Sequence, residues 1–222
     1  MIAYIMAFET WGENQRAIDA LAIESGDQIL DIGCGPGRSL AELAARAPSG
    51  RVVGVDPSDV MVASAARRNR QLIAAGRVGV APAGVEALPF PDGSLDKALC
   101  VHVVYFWTDL DAALREIGRV LKPGGRLVLC FRSSVDEAAV RAFPADVYRF
   151  PALADVLASS VFAGFDAKLI ARPSEPESES AVLILATKQA ACLPEVLSHA
   201  GGFPTPKPSA SARLHFTHPF FE

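Results

Sequence analysis

The sequence predicts an α/β fold: a doubly wound, mostly parallel sheet with helices on both faces and an antiparallel strand near one edge. Three observations predict it. Short apolar runs alternate with longer stretches of helical periodicity, which is the order of successive βαβ units. The runs are apolar at consecutive positions, as strands buried on both faces must be. The last two runs, FDAKLIA (165–171) and AVLILATK (181–188), are joined only by the polar loop RPSEPESES and read as a closing strand pair.

The elements follow in order. Asn14 to Ala22 reads as a helix, and QILDIG (28–33) as the first strand. From Arg38 to Ala47, Leu40, Leu43, Ala44 and Ala47 fall on one helical face. RVVGVD (51–56) is the second strand. Pro57 and Ser58 open a helix through Ala75, with Met61, Ala65, Leu72 and Ala75 near helical spacing. RVGVAP (77–82) is a weaker third strand and DKALCVHV (96–103) a fourth. Thr108 or Asp109 can cap the next helix, whose stripe is Leu110, Ala113, Leu114, Ile117, Val120 and Leu121. Pro123, Gly124 and Gly125 stop it, and RLVLCF (126–131) is the fifth strand. A further helix is expected from Ala152 to Ser160. Residues 1–189 form the main domain. Residues 190–222 carry five prolines (Pro194, Pro204, Pro206, Pro208 and Pro219) and read as a proline-rich appendage.

Composition narrows the class. Half of the 222 residues are apolar and 21% are charged, a balance that fits a folded soluble domain. No apolar run reaches the ~18 residues that cross a bilayer. The start MIAYIMAF has no basic leader and is followed by Glu9 and Glu13, so no signal peptide is expected and the cytoplasm is the default location. Net charge is −4 and the pI is about 5.6. Nucleic-acid binders usually carry a basic surplus, and the short stripe Arg67, Arg68 and Arg70 reads as the solvated face of a helix. Cys34, Cys100, Cys130 and Cys192 show no C-x-x-C pairing, so neither a disulfide framework nor a metal site is expected. The first three read as buried free thiols.

The strongest local signal is Asp31-Ile32-Gly33-Cys34-Gly35-Pro36-Gly37, between the first strand and the first sheet helix. Glycines at alternate positions let the backbone turn sharply and approach a ligand closely. A helix N-terminus there favours an anionic group, and open α/β sheets bind ligands at the carboxyl ends of their strands. A dinucleotide fingerprint needs a third glycine at 38 or 40, where Arg38 and Leu40 stand, so a nicotinamide oxidoreductase is disfavoured. No Gly-Lys-Ser/Thr follows, which excludes a P-loop. Asp56 ends the second strand, where a carboxylate can accept hydrogen bonds from both ribose hydroxyls. The glycine loop alone is also compatible with a structural turn. Loop and Asp56 together point to a nucleoside-like ligand.

At this point the chain resembles a known family. ILDIGCGPG resembles the first motif of class I S-adenosylmethionine-dependent methyltransferases, and VVGVDPS the segment after it. EALPFPDGSLDKALC and ALREIGRVLKPGGRLVL resemble the corresponding regions of the ubiquinone/menaquinone-biosynthesis type of small-molecule methyltransferase. The resemblance spans residues 15 to 188. It implies a Rossmann-like fold, S-adenosylmethionine as cofactor and a small-molecule acceptor, with homo-oligomerisation open. It implies that Gly33, Gly35 and Gly37 wrap the methionine end, that Asp56 holds the ribose, and that Asp31 and Val101 also belong to the cofactor site. Met61 would pack on the adenine, and Gly84 and Val85 stand where its edge is read, with the Val85 backbone N–H on offer. One position departs from the family pattern: an acidic residue is usual where Gly84 stands, and Glu86 is displaced from it by two.

Methyl transfer by in-line displacement asks the protein mainly to align the nucleophile and exclude water. A base is needed only when the acceptor must lose a proton early. His102, at the end of the fourth strand, is the candidate base, and Tyr105 can orient or deprotonate a hydroxyl. The competing reading is a packed, hydrogen-bonded histidine among core aromatics. Tyr105, Phe106 and Trp107 suggest an apolar or aromatic acceptor pocket, with Tyr4, Phe8 and Trp11 as a lid. A methyltransferase-like protein that binds cofactor or partner without catalysis is the alternative, supported by Gly84 and the tail.

Overall fold

Burial on both faces requires each strand to send alternate side chains into two separate cores, and the computed structural model shows this arrangement. It describes residues 11–171 and 181–190. Tyr4, Phe8, Cys192 and the proline-rich segment lie outside the described residues.

The elements run α1 (Trp11–Ala20), β1 (Gln28–Ile32), α2 (Arg38–Arg46), β2 (Arg51–Asp56), α3 (Asp59–Arg68), α4 (Arg70–Ala74), β3 (Val78–Pro82), β4 (Leu95–Val101), a single 3₁₀ turn (Val104–Phe106), α5 (Leu110–Val120), β5 (Leu121–Phe131), α6 (Glu137–Ala142), α7 (Leu153–Phe162), β6 (Phe165–Ala171) and β7 (Val182–Lys188). The seven strands form one sheet in the order β3-β2-β1-β4-β5-β7-β6. The pairs among β1 to β5 are parallel. β7 is antiparallel to both β5 and β6, so the antiparallel strand lies one in from the edge. This is the doubly wound architecture that the alternating pattern predicts and the Rossmann-like fold that the resemblance implies.

On one face, Ile29, Val52, Leu99 and Val128 pack against α1, α2 and α3 through Ile18, Leu40, Leu43 and Ala65. On the other, Leu30, Val53, Ala98 and Leu127 pack against α5 and α7 through Leu114, Ile117 and Val156. Full burial of a leucine or isoleucine side chain is worth about 1.5–3 kcal/mol, so these two layers supply the main drive for the fold. Of the stripe predicted from periodicity, Ala113, Leu114, Ile117 and Val120 are buried on α5, and Leu121 is buried as the first residue of β5. Asp109, one of the two expected caps, accepts the Ala112 N–H at 2.9 Å.

Two local expectations are corrected, and one unexpected helix is added. The helix expected from Ser58 to Ala75 is two helices, interrupted at Asn69. That side chain is buried, and its amide donates to Gly37 O at 2.9 Å and Ala65 O at 3.0 Å. Its carboxamide therefore bonds main-chain carbonyls on two elements, the recurrent way such residues interrupt a helix. The fifth strand begins at Leu121, five residues before the expected start. Leu121 pairs with Leu95, and the register then shifts so that Arg126 pairs with Lys97, with Pro123-Gly124-Gly125 in the bulge. The short helix α6 carried no periodic signal; Asp136 caps it by accepting the Ala139 N–H at 2.9 Å.

The topology reverses between β1 and β4, which leave in opposite directions from the middle of the sheet. Their carboxyl ends open a crevice there, and both the glycine loop and His102 follow directly from those ends.

Candidate active site

The glycine loop is built by backbone geometry that only glycine adopts cheaply. Gly33, Gly35 and Gly37 have φ of 67°, 53° and 70°. The first two serve different ends. A Cβ on Gly33 would sit 2.2 Å from Val103 Cγ1, so that position must be bare for the loop to pack on the segment after β4. A Cβ on Gly35 would meet nothing within 4 Å. It would project into a cavity of about 570 Å³ at the strand ends.

That cavity collects most of the predicted site residues. Asp31, Gly33 and Gly35 line it from the loop, Asp56 and Met61 from the end of β2 and α3, Gly84 and Val85 from the loop after β3, and Val101 and His102 from the end of β4. Gly37 and Tyr105 are not among the lining residues. Trp11, Val103, Phe106, Trp107 and Tyr148 supply apolar and aromatic wall. The expected N-terminal lid is represented there by Trp11, over whose ring the Arg38 guanidinium stacks at 5.0 Å.

Asp56 ties the loop to the second strand. Its Oδ2 accepts the Gly35 N–H and its Oδ1 the Ser58 N–H, both at 2.9 Å. Asp31 is buried, and the Ser39 hydroxyl donates to its Oδ2. Burial, joined by the Asp56 charge and opposed by the Ser39 bond, pushes the Asp31 carboxyl up to about 7. At the departing position, a Cβ on Gly84 would lie 2.6 Å from Glu86 Oε2. The Glu86 carboxylate therefore folds back over the bare Gly84 and lines the same cavity. A charge displaced by two in sequence is returned to the neighbourhood by the turn.

His102 has φ of 57°, an uncommon conformation for a residue with a side chain and one costing roughly 1–2 kcal/mol. Its backbone is held by donation to Cys130 O at 2.8 Å. Its ring is held on both sides: Nδ1 lies 3.0 Å from Tyr105 Oη, and Nε2 lies 2.5 Å from Glu13 Oε2. Tyr105 is 1% exposed and accepts the Arg132 N–H at 2.6 Å. Burial pushes its hydroxyl well above the ordinary tyrosine range. Direct contact between Tyr105 and an acceptor, expected from sequence, is corrected: the hydroxyl stands behind His102 and off the cavity wall.

Sequence reasoning did not find Glu13, Asn69 or Arg132 as site neighbours. Glu13 lay just outside the helix expected from Asn14, with no motif around it. Cys34, Cys100 and Cys130 are buried free thiols, as expected.

Comparison with known proteins decides the family. Residues 30–129 match the family described as Methyltransferase domain. The chain is 34% identical over 140 residues to the uncharacterized methyltransferase YdaC of Bacillus subtilis, covering 63% of this chain and 75% of that protein. The chain belongs to the class I S-adenosylmethionine-dependent methyltransferase family.

This methyltransferase is also 38% identical over 113 residues to the ubiquinone/menaquinone biosynthesis C-methyltransferase UbiE of Pasteurella multocida, covering 50% of this chain and 42% of that one. An uncharacterized 37.1 kDa protein in transposon TN4556 of Streptomyces fradiae is 47% identical over 113 residues, 50% of this chain and 32% of its own. The match thus spans less than half of each of those two relatives. Among solved structures, a SAM-dependent methyltransferase from Aquifex aeolicus superimposes with a TM-score of 0.65 at 20% identity, covering 78% of this chain and 88% of that one. That likeness establishes the methyltransferase fold. Among the described residues, no helix is long and apolar enough to cross a membrane.

Proposed function

We propose that this methyltransferase moves a methyl group from S-adenosylmethionine to a small, largely apolar or aromatic acceptor, and that it does so in the cytoplasm. The observation that carries the reading is the single cavity shared by the glycine loop, Asp56, Glu86 and His102. The residues fit the cofactor: the bare face of Gly35 opens into that cavity, and two carboxylates, Asp31 and Asp56, line it beside the loop. When bound, the cofactor supplies an activated methyl on a sulfonium.

The roles follow from chemistry. Asp31 and the backbone of Gly33 and Gly35 hold the methionine end, with Gly37 completing the turn into α2. Asp56 receives the ribose hydroxyls. Met61, Val85 and Val101 pack on the adenine, and Glu86 provides the carboxylate that Gly84 lacks. The aromatic wall of Trp11, Phe106 and Tyr148 excludes water and suits an uncharged ring. His102 is the candidate base, with Tyr105 as its hydrogen-bond partner. Buried reduced thiols at Cys34, Cys100 and Cys130 are in keeping with a reducing compartment.

The test is release of S-adenosylhomocysteine across a panel of phenols, quinols, amines and thiols. Turnover on at least one class is expected, with His102→Ala slower by about 10²–10⁴-fold on a hydroxyl acceptor. Tight binding of S-adenosylhomocysteine without turnover on any class would favour a binding or regulatory role instead. The same preparations, weighed by light scattering, report whether the chain self-associates.

A further inference from the structure

The three glycines of the loop are bare for three different reasons, and the third leads away from the cavity. A Cβ on Gly33 would strike Val103 and one on Gly35 would enter the cavity, whereas one on Gly37 would lie 2.8 Å from Ala65 Cβ and 2.8 Å from Asn69 Nδ2. Gly37 is bare so that the loop can rest directly against the end of α3. Two successive carbonyls of the loop are bonded there. Arg68 Nε donates to Pro36 O at 3.0 Å, and Asn69 Nδ2 donates to Gly37 O at 2.9 Å.

Asn69 is the firmer of the two anchors. It is 3% exposed, while Arg68 lies at the surface. Both acceptors of its amide, Gly37 O and Ala65 O, are carbonyl oxygens, so its nitrogen must face them; the flipped amide would set oxygen against oxygen. Its Oδ1 is buried and has no hydrogen-bond partner among the described residues. A buried oxygen left unpaired is unfavourable, so what this side chain contributes lies in its donor bonds.

The other end of α3 is fastened to the same loop. Asp56 accepts the Gly35 N–H through Oδ2 and the Ser58 N–H through Oδ1, and Ser58 caps α3 by accepting the Met61 N–H. Helix α3 is thus tied to the glycine loop at its start through Asp56 and at its end through Asn69. Its start carries Met61 to the cavity wall, whereas Asn69 is not among the lining residues.

We propose that Asn69 is a positioning residue for the cofactor: by holding the Gly37 carbonyl it sets the glycine loop, and the first residues of α2 that line the cavity, in register with the residues that receive the nucleoside. The two halves of the site come from separate βα units. The methionine half follows β1 and opens α2; the nucleoside half follows β2 and opens α3. Asp56 and Asn69 join them into one frame. Without the Asn69 amide, Asp56, Ser58 and Met61 still assemble the nucleoside half, and the loop loses its buried anchor to α3. The inference rests on the cofactor roles proposed above for those residues.

The test compares two ligands on the full chain. S-adenosylhomocysteine spans both halves of the site, and adenosine reaches only the nucleoside half. Asn69→Leu keeps a side chain of similar shape and removes the donors. Its affinity for S-adenosylhomocysteine, by calorimetry, should fall about tenfold, while its affinity for adenosine, by NMR titration, stays within about twofold of the wild type. Circular dichroism checks the fold of each variant. If Asn69→Leu does not fold, the smaller Asn69→Ser, whose hydroxyl is too short to span both carbonyls, is read in the same way. A merely structural role gives another pattern: a lower melting temperature with both affinities unchanged, or one loss shared equally by both ligands. Either pattern overturns the proposal. A wild type that binds S-adenosylhomocysteine but not adenosine overturns the division into halves and the proposal with it. A wild type that binds neither ligand overturns the cofactor reading of the cavity itself.

Discussion

The Asp56 carboxylate accepts the Gly35 backbone N–H at 2.9 Å, so the residue proposed to receive the ribose also fastens the loop proposed to receive the methionine end. Two functions in one side chain make it sensitive. Asp56→Ala should weaken binding of S-adenosylhomocysteine by the loss of charge-assisted bonds, each worth on the order of 1.5–3 kcal/mol. Calorimetry checks this. Unchanged affinity with the fold intact would remove Asp56 from the site.

Gly33 and Gly35 should fail in different ways when substituted. At Gly33 a Cβ collides with Val103, whereas at Gly35 it enters open cavity. Both also pay the left-handed backbone cost of roughly 1–2 kcal/mol. Gly33→Ala is therefore expected to lower the melting temperature strongly. Gly35→Val should keep near-native circular dichroism and lose cofactor binding. Normal binding by Gly35→Val would reduce the loop to a structural turn.

Asp31 makes cofactor affinity depend on pH. Its carboxyl is raised from the usual 3.8 to about 7, so between those values the folded apo-protein holds a proton that the unfolded chain has lost. The stability it contributes is full below the lower value and is lost as pH rises through the upper one. A cofactor ammonium favours the ionised form, so binding below pH 7 must release that proton. Affinity for S-adenosylhomocysteine should fall by about tenfold per unit as pH drops below about 7. Asp31→Asn should abolish this slope and weaken binding at pH 8. Calorimetry in buffers of different ionisation enthalpy counts the proton directly, and a count of zero at pH 6 would contradict the assignment.

The chain after Gln189 is expected to be dispensable for the fold. β7 completes its pairing with β5 and β6 by Lys188, and the Gln189 N–H closes the edge by donating to Gly164 O at 3.0 Å. A protein ending at Gln189 should bind S-adenosylhomocysteine normally. We expect the missing Phe216, Phe220 and Phe221 to register as a changed oligomeric mass or changed acceptor kinetics, because leaving them in water costs ~25 cal/mol per Å². Unfolding of the truncated protein would move the domain boundary; no change in mass or kinetics would free the tail of any docking role.

What the sequence by itself determined was local or strictly ordered. Consecutive apolar positions marked β1 to β5, a 3.6-residue stripe marked α5, and glycines at alternate positions marked a loop that needs positive φ. Asp56 was legible because the end of a strand is a fixed place in this architecture. The tertiary structure decided the contacts between residues remote in the chain, which leave no periodic trace. Nothing near Glu13 announces His102, 89 residues away; sheet order and the docking of α1 bring them together. Asn69 fell inside a helix expected to be continuous, and only the Gly37 carbonyl gave its amide a reason to interrupt it. Glu86 stood two places from where a carboxylate was wanted, and the turn returned it over Gly84. Tyr105 read as a cavity residue by proximity in sequence, but the 3₁₀ turn directs it behind His102. The physical reason is common to all four. Backbone pattern and burial set where an element lies, whereas a side chain's partner depends on how separate elements pack.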